Sequence, residues 1–313
     1  MKILVGGTGG VGGYYGARLL AAGNDVWFMA RGRTLDALQE RGLTLSSDLG
    51  DLAFASVNAV EAGANAGIAD LVLFCVKTYD NEPGAGAVAG AVGRRTLVLS
   101  LQNGVENEAF LADRFPRADV LAGVARVEAW VEEPGLIRQR GPQTNLTIGP
   151  IEGEPSGRTR DLAAAIADAG VPCEASADMP TALWWKLLGI CGVGGVTAYC
   201  RCPIGEVLRD PELNDLITGC WNEAFHVARA TGVALPDDTV ATMTHYATQV
   251  LNLGLKSSMC RDVERGRPLE VEAINGAVTR FGKEAGIETP ANRQVLDTLL
   301  PLHRAAMARR RGG

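Results

Sequence analysis

The sequence predicts an α/β protein in which a doubly wound, mainly parallel sheet domain (residues 1–177) precedes an all-helical domain (178–313). Three observations carry this. Short β-like runs alternate with helical stretches through the first half. Two of those runs, "ADLVLFCV" and "TLVLSL", are continuously apolar, as parallel strands covered on both faces are. From about residue 178 strand signals cease and helical segments follow one another.

Taken in order, "KILV" is a strand, "VGGYYGARLLAA" a helix closed by Gly23, "DVWFMA" a second strand and "RTLDALQERG" a short helix. "LTL" and "LAFAS" are a pair of strand candidates. "ADLVLFCV" and "TLVLSL" flank a helical stretch around 82–92. Further β candidates are "VLAGVARVEAWV", "LIRQ" and "NLTIG"; a helix at 158–169 and the strand-like "VPCEAS" close the half. The second half predicts helices at 179–200, 205–209, 211–231, 237–253, 268–286 and 290–308.

A chain of 313 residues has room for two domains of ordinary size. Its 47% hydrophobic and 21% charged residues fit a soluble globular protein. A net charge of −6 argues against nucleic acid or anionic membrane as the main partner. "MKILVGG" lacks the apolar run of a signal peptide. Residues 181–200 approach membrane-spanning length, but their glycines and polar positions speak against insertion. The seven cysteines are scattered. Cys200 and Cys202 have neither a second pair nor a nearby histidine, so the expectation is no metal and reduced thiols in a cytoplasmic protein.

"KILVGGTGGVGGYYG" sets Gly7, Gly9 and Gly12 in G-x-G-x-x-G spacing between a strand and a helix. The first glycine permits the tight turn, the second lets backbone approach a pyrophosphate, and the third lets helix and strand pack closely. A Rossmann-type dinucleotide site is therefore expected, with the phosphates meeting unpaired N–H groups at the helix start. An NAD site needs a carboxylate at the end of the second strand. Here the strand ends "FMARGR", with Arg31 at that place, Arg33 close behind and Asp25 too far back. A guanidinium holds a 2′-phosphate that a carboxylate would repel, so NADP(H) is favoured.

Lys77 and Asn103 follow strands at the edge where doubly wound sheets bind ligands. The helical half supplies Ser258, Glu270 and Lys186, the one charge in "TALWWKLLGICGVGGVTAYC". Burying an unpaired ammonium costs several kcal/mol, so this charge either reaches solvent or serves a site.

Together "GGTGGVGGYYGARL", "ARG", "VKTYD", "LQNGVENE", "WWKLL", "SSMCRDVERGRPLEVEAING" and "GIETPAN" resemble the ketopantoate reductase (2-dehydropantoate 2-reductase) family along nearly the whole chain. The resemblance implies NADPH-dependent reduction of a small-molecule 2-oxo acid or ketone. It implies Lys186 as proton donor and Glu270 as the acid beside that lysine and the nicotinamide ribose. It also implies Ser258 as a substrate contact, Asn103 and Lys77 at the cofactor–substrate junction, and Gly7, Thr8, Gly9, Gly10, Val11 and Gly12 as the pyrophosphate loop. Family asparagines that hold substrate four and eight residues after the lysine are replaced by Ile190 and Gly194, and Leu255 stands where another is often found. These replacements point to a less polar substrate as the alternative. Physiological oxidation of the alcohol, or a non-catalytic NADPH sensor, are further alternatives. His226, His245 and His303 fall in no matched motif, so no histidine-based mechanism is expected. The long helices from residue 205 onward offer a face for a homodimer, on which the sequence is silent.

Overall fold

Strand β1 (Lys2–Gly6) lies in the interior of an eight-stranded sheet because both its faces are apolar. Ile3 and Val5 point into one core and Leu4 into another, as the two-residue period of a strand requires. The remaining strands are β2 (Asp25–Met29), β3 (Leu43–Ser47), β4 (Leu52–Phe54), β5 (Asn58–Val60), β6 (Leu71–Phe74), β7 (Leu97–Ser100), β8 (Asp119–Ala125), β9 (Glu128–Glu133), β10 (Leu136–Arg140), β11 (Leu146–Gly149) and β12 (Cys173–Ala175). The helices among them are α1 (Gly10–Ala21), α2 (Gly32–Arg41), α3 (Asn81–Val88), α4 (Asn107–Arg114) and α5 (Gly157–Asp168). This computed structural model describes residues 1–116 and 119–312. It divides into two units, Met1–Gln102 with Asn107–Met179, and Asn103–Glu106 with Pro180–Gly313.

In the first unit the large sheet runs β12-β11-β8-β7-β6-β1-β2-β5. All pairs from β5 to β8 are parallel, and β11 turns antiparallel to β8. The α/β class expected from the alternation is what the chain adopts. A second sheet, β4-β3-β10-β9, was not anticipated. "VLAGVARVEAWV" looks like one strand, but it breaks after Ala125, giving β8 to the large sheet and β9 to the small one. The short β5 and helix α4 were also missed.

The second sheet explains glycines in α1 beyond those of the motif. The helix is sandwiched: a Cβ on Gly16 would meet Phe28 Cε1 of β2 at 2.6 Å, and one on Gly13 would meet Ile137 Cδ1 of β10 at 2.6 Å. Glycine on both faces lets two sheets close on one helix.

The second unit is helical, as expected: α6 (Met179–Cys200), α7 (Ile204–Val207), α8 (Pro211–Ala230), α9 (Thr239–His245), α10 (Ser258–Glu264), α11 (Asn275–Ala285) and α12 (Pro290–Gly312). Three stretches differ from expectation. The helix expected at 237–253 is α9 only as far as His245, followed by a π-helical turn over Tyr246–Val250. Helix α10 is extra, capped by Ser257, whose side chain accepts from Cys260 N. The helix expected from 268 begins only at Asn275: residues 267–270 are irregular and 271–274 form a turn, in which Glu270 O accepts from Ala273 N and Ile274 N.

Helix α6 is apolar enough to span a membrane by length and composition (mean hydropathy 1.2), yet 61% of that window is buried within the protein. Its neighbours reach its backbone through its glycines. Gly192 takes the indole of Trp221, which is fully buried, and Gly195 lies against the side-chain amide of Asn275. Asn275 Nδ2 donates to Cys191 O at 3.0 Å and to Asn292 Oδ1 at 2.9 Å. Asn292 Nδ2 in turn donates to Cys220 O and to Glu223 Oε2. The Glu223 carboxylate accepts the N–H groups of Ala291 and Asn292 at the start of α12, where a negative charge complements the helix dipole. This polar network joins α6, α8, α11 and α12, and leaves Asn275 Oδ1 buried without a hydrogen-bond partner.

At the end of α6, Cys200 and Cys202 form a disulfide, with Arg201 between them at φ 58°. The expectation of reduced thiols fails there, because the left-handed turn brings the two side chains together. Cys75, Cys173, Cys191, Cys220 and Cys260 are free. Burial raises the pKa of each of them, keeping the thiols protonated.

Gly192→Ala forces a methyl into a buried indole and should destabilise the protein by about 1–3 kcal/mol, outweighing the gain in helix propensity. Gly189→Ala meets only the flexible end of Met243, at 3.3 Å, and should be neutral or stabilising by up to ~1 kcal/mol. Urea midpoints of the two variants check this; a higher midpoint for Gly192→Ala than for Gly189→Ala would contradict the packing described.

Candidate active site

In the first unit an open cleft runs along the C-terminal ends of β1, β2 and β6, lined by Gly7, Thr8, Gly9, Arg31, Thr34, Lys77 and Asp80 among others. The loop between β1 and α1 is tied down at its rim. Thr8 donates to Met29 O through its backbone N at 3.1 Å and its hydroxyl at 3.0 Å. Gly7 has φ +109°, where an L side chain would be strained, and a Cβ on Gly12 would collide with Gly7 O. Gly9 differs from both, since a Cβ there would meet nothing within 4 Å. The open side of Gly9 is the approach a pyrophosphate needs. No side chain caps the N-terminus of α1 and its first turn holds no acid, so no carboxylate there would oppose an anion.

Arg31 precedes α2 and lines the cleft beside Thr34, one turn further along. Asp25 accepts from Trp27 Nε1 and Asn58 Nδ2 at the other end of β2, away from this edge. Arg33, noted in the sequence with Arg31, is exposed and does not line the cleft. Lys77 sits just past β6 in a turn held by Gln102, whose Nε2 donates to Val76 O at 2.8 Å and to Asn81 Oδ1 at 2.6 Å. These residues fit a dinucleotide carrying a 2′-phosphate. Thr34 and Asp80 were missed as cleft residues, although Asp80 lies in the quoted "VKTYD".

The second unit gathers the other residues. Asn103, in the short segment that clusters with this unit, donates from Nδ2 to Glu270 Oε2 at 3.4 Å. The same segment is anchored by an ion pair of Glu106 with Arg280 of α11. Glu270 is buried at 7% exposure and lies in a stretch, 267–270, that is neither helix nor strand.

On α6, Lys186, Ile190 and Gly194 are spaced four residues apart and share one face. Lys186 is half-buried. A Cβ on Gly194 would find only Ile190 Cβ and Met259 Cε, each at 3.8 Å. Packing therefore does not demand glycine at 194; its effect is to leave apolar space. Ser257, not Ser258, caps α10, and its Oγ donates to Gly194 O at 3.2 Å and lies 2.8 Å from Thr197 Oγ1. That leaves Ser258 exposed in the first turn of α10.

Comparison with known proteins agrees along the chain. The profile described as ketopantoate reductase PanE/ApbA matches residues 3–153, and its C-terminal counterpart matches 178–302. The 2-dehydropantoate 2-reductase of Archaeoglobus fulgidus is 33% identical over 296 residues, covering 95% of this chain and 96% of that protein. A PanE/ApbA family ketopantoate reductase from Ralstonia eutropha superposes with a TM-score of 0.90 at 35% identity, covering 98% of this chain and all of the other. D-mandelate dehydrogenase with NADH and anilino(oxo)acetate also superposes at 0.90, covering 98% of this chain and 99% of its own, but at 20% identity this is a likeness of fold alone. With both profiles matched and a full-length relative at one-third identity, the chain belongs to the ketopantoate reductase family, NADPH-using oxidoreductases that act on C=O and CH–OH groups.

Proposed function

We propose that the chain reduces a 2-oxo acid, 2-dehydropantoate in the first place, with Lys186 as the general acid. The observation that carries this reading is the lone ammonium on the glycine-opened face of α6, in a unit that also holds the Asn103–Glu270 pair. Bound NADPH supplies the hydride that goes to the carbonyl carbon. As negative charge grows on the carbonyl oxygen, Lys186 stabilises it and delivers a proton from Nζ, a contribution of roughly 100- to 10,000-fold. Glu270, its carboxylate steadied by Asn103, orients the lysine and the ribose. Ser258 offers its hydroxyl to the substrate. Lys77 and Asn103 serve the junction of cofactor and substrate, and the loop from Gly7 to Gly12 with Arg31 binds the phosphates. The enzyme runs in the cytoplasm on this reading. A ketopantoate reductase from Staphylococcus aureus is described as dimeric, and a homodimer is the assembly expected here too.

A second reading has its own support. Ile190, Gly194 and Met259 offer no hydrogen bonds, and an amide partner missing from a substrate that needs it costs about 1–3 kcal/mol. An oxo acid with an aliphatic or aromatic side chain would lose nothing there.

Values of kcat/KM for 2-dehydropantoate and for bulkier apolar 2-oxo acids separate the two; a preference for the apolar acids by about tenfold or more (1.4 kcal/mol) assigns the second reading. Lys186→Ala should lower kcat at least about a hundredfold while NADPH titrated by fluorescence still binds; unchanged turnover removes the lysine from the mechanism. Arg31→Glu should cut the preference for NADPH over NADH by about tenfold or more, since a charge-assisted contact becomes a repulsion. A preference that stays the same would take the 2′-phosphate away from Arg31.

A further inference from the structure

Glu270 presents a mechanical problem. Its carboxylate reaches Asn103 Nδ2 at 3.4 Å, near the limit of a hydrogen bond, so a shift of about half an ångström would break the contact. Yet residues 267–270 belong to no helix or strand whose ladder would hold them. On the C-terminal side the backbone is fixed, because Glu270 O accepts from Ala273 N and Ile274 N, each at 3.1 Å. The N-terminal side depends on a side chain. Leu269 is 2% exposed, and a buried N–H must find an acceptor. Leu269 N donates to His303 Nδ1 of α12 at 3.0 Å.

We propose that His303 is a positioning residue for the reaction: its neutral imidazole, carried on α12, accepts the Leu269 N–H and so sets where the Glu270 carboxylate stands. This rests on Glu270 acting as described above. The hydrogen bond fixes the tautomer, with the proton on Nε2, which lies 3.7 Å from Glu272 Oε2. His303 is 6% exposed and cannot swing out to solvent without opening the helical core.

Charged groups that act on the ring include Glu272, from the segment entering α11, and Arg304, from His303's own helix. Burial lowers the imidazole pKa below its ordinary value, Glu272 opposes that, and Arg304 adds to it. Protonation of Nδ1 would abolish the acceptor, so burial extends the working state to more acid pH. The sign for stability follows. With the folded-state pKa depressed, the contribution is complete above the unfolded value of about 6.5 and is lost as pH falls from there toward the folded value.

Two variants test this. Asparagine places Oδ1 near the position of Nδ1 and keeps an acceptor that cannot titrate, whereas leucine removes it. His303→Leu should lower kcat by about tenfold or more with the NADPH dissociation constant within about threefold, and His303→Asn should recover most of the loss. The wild-type melting temperature should fall between pH 7.5 and 5.5 by more than that of His303→Asn, a readout independent of turnover. Glu270→Ala runs alongside. Wild-type kcat in His303→Leu beside a crippled Glu270→Ala overturns the positioning role alone; wild-type kcat in Glu270→Ala overturns the reading of Glu270 and this inference with it. Should His303→Leu not fold, the acid limb of kcat decides: it flattens in His303→Asn, or the proposal is wrong.

Discussion

An ammonium on the most apolar helix of a protein has to be accommodated, and the rest of this structure depends on how α6 does so. Leaving such a charge buried without a partner would cost several kcal/mol. Within Met179–Cys200 only Lys186 is charged, and it is half-buried. The helix itself has little freedom to shift. Trp221 presses on Gly192, Asn275 on Gly195, and Ser257 bonds the carbonyl of Gly194. A lysine has a long, flexible stem, and a fixed backbone is what turns that reach into a defined position for Nζ.

The same device, backbone brought close by missing side chains, recurs in the first unit with another outcome. Gly12 lets α1 start against the end of β1, and Gly13 and Gly16 let it fit between two sheets. Among the glycines from Gly7 to Gly16, Gly9 alone faces open space. Three glycines are packed against protein and one is left open, a distinction spacing alone does not make. In α6 the same contrast holds: Gly192 and Gly195 serve packing, whereas Gly194 keeps volume clear beside Ile190 and Met259. Specificity would then be set by what lines that volume more than by the polar groups the family shares.

Much of this was legible in the sequence because it rests on local rules. The glycine turn, the doubly apolar strands β6 and β7, the long α6 and the arginine after β2 all follow from period, composition and spacing. What escaped depends on contacts far apart in the chain. The small sheet joins residues 43–54 to 128–140; "LTL", "LAFAS" and "LIRQ" were legible as strand candidates, but their pairing into a second sheet was not. The expected helix from 268 concealed the irregular stretch that carries Glu270. Asn275 and Asn292 look like surface residues in the sequence and are fully buried, because each satisfies backbone groups of other helices. His303 carried no motif, and only the fold brings it to Leu269 N. Cys200 and Cys202 were paired by a left-handed residue that propensity does not foretell.

Chemical rescue interrogates the proposed proton donor most directly. In single-turnover experiments with saturating NADPH and 2-dehydropantoate, Lys186→Ala should oxidise the cofactor slowly, and added small alkylamines should restore part of the rate in proportion to their protonated fraction. A variant that reacts as fast as the wild type without any amine would contradict the assignment of Lys186 as the acid.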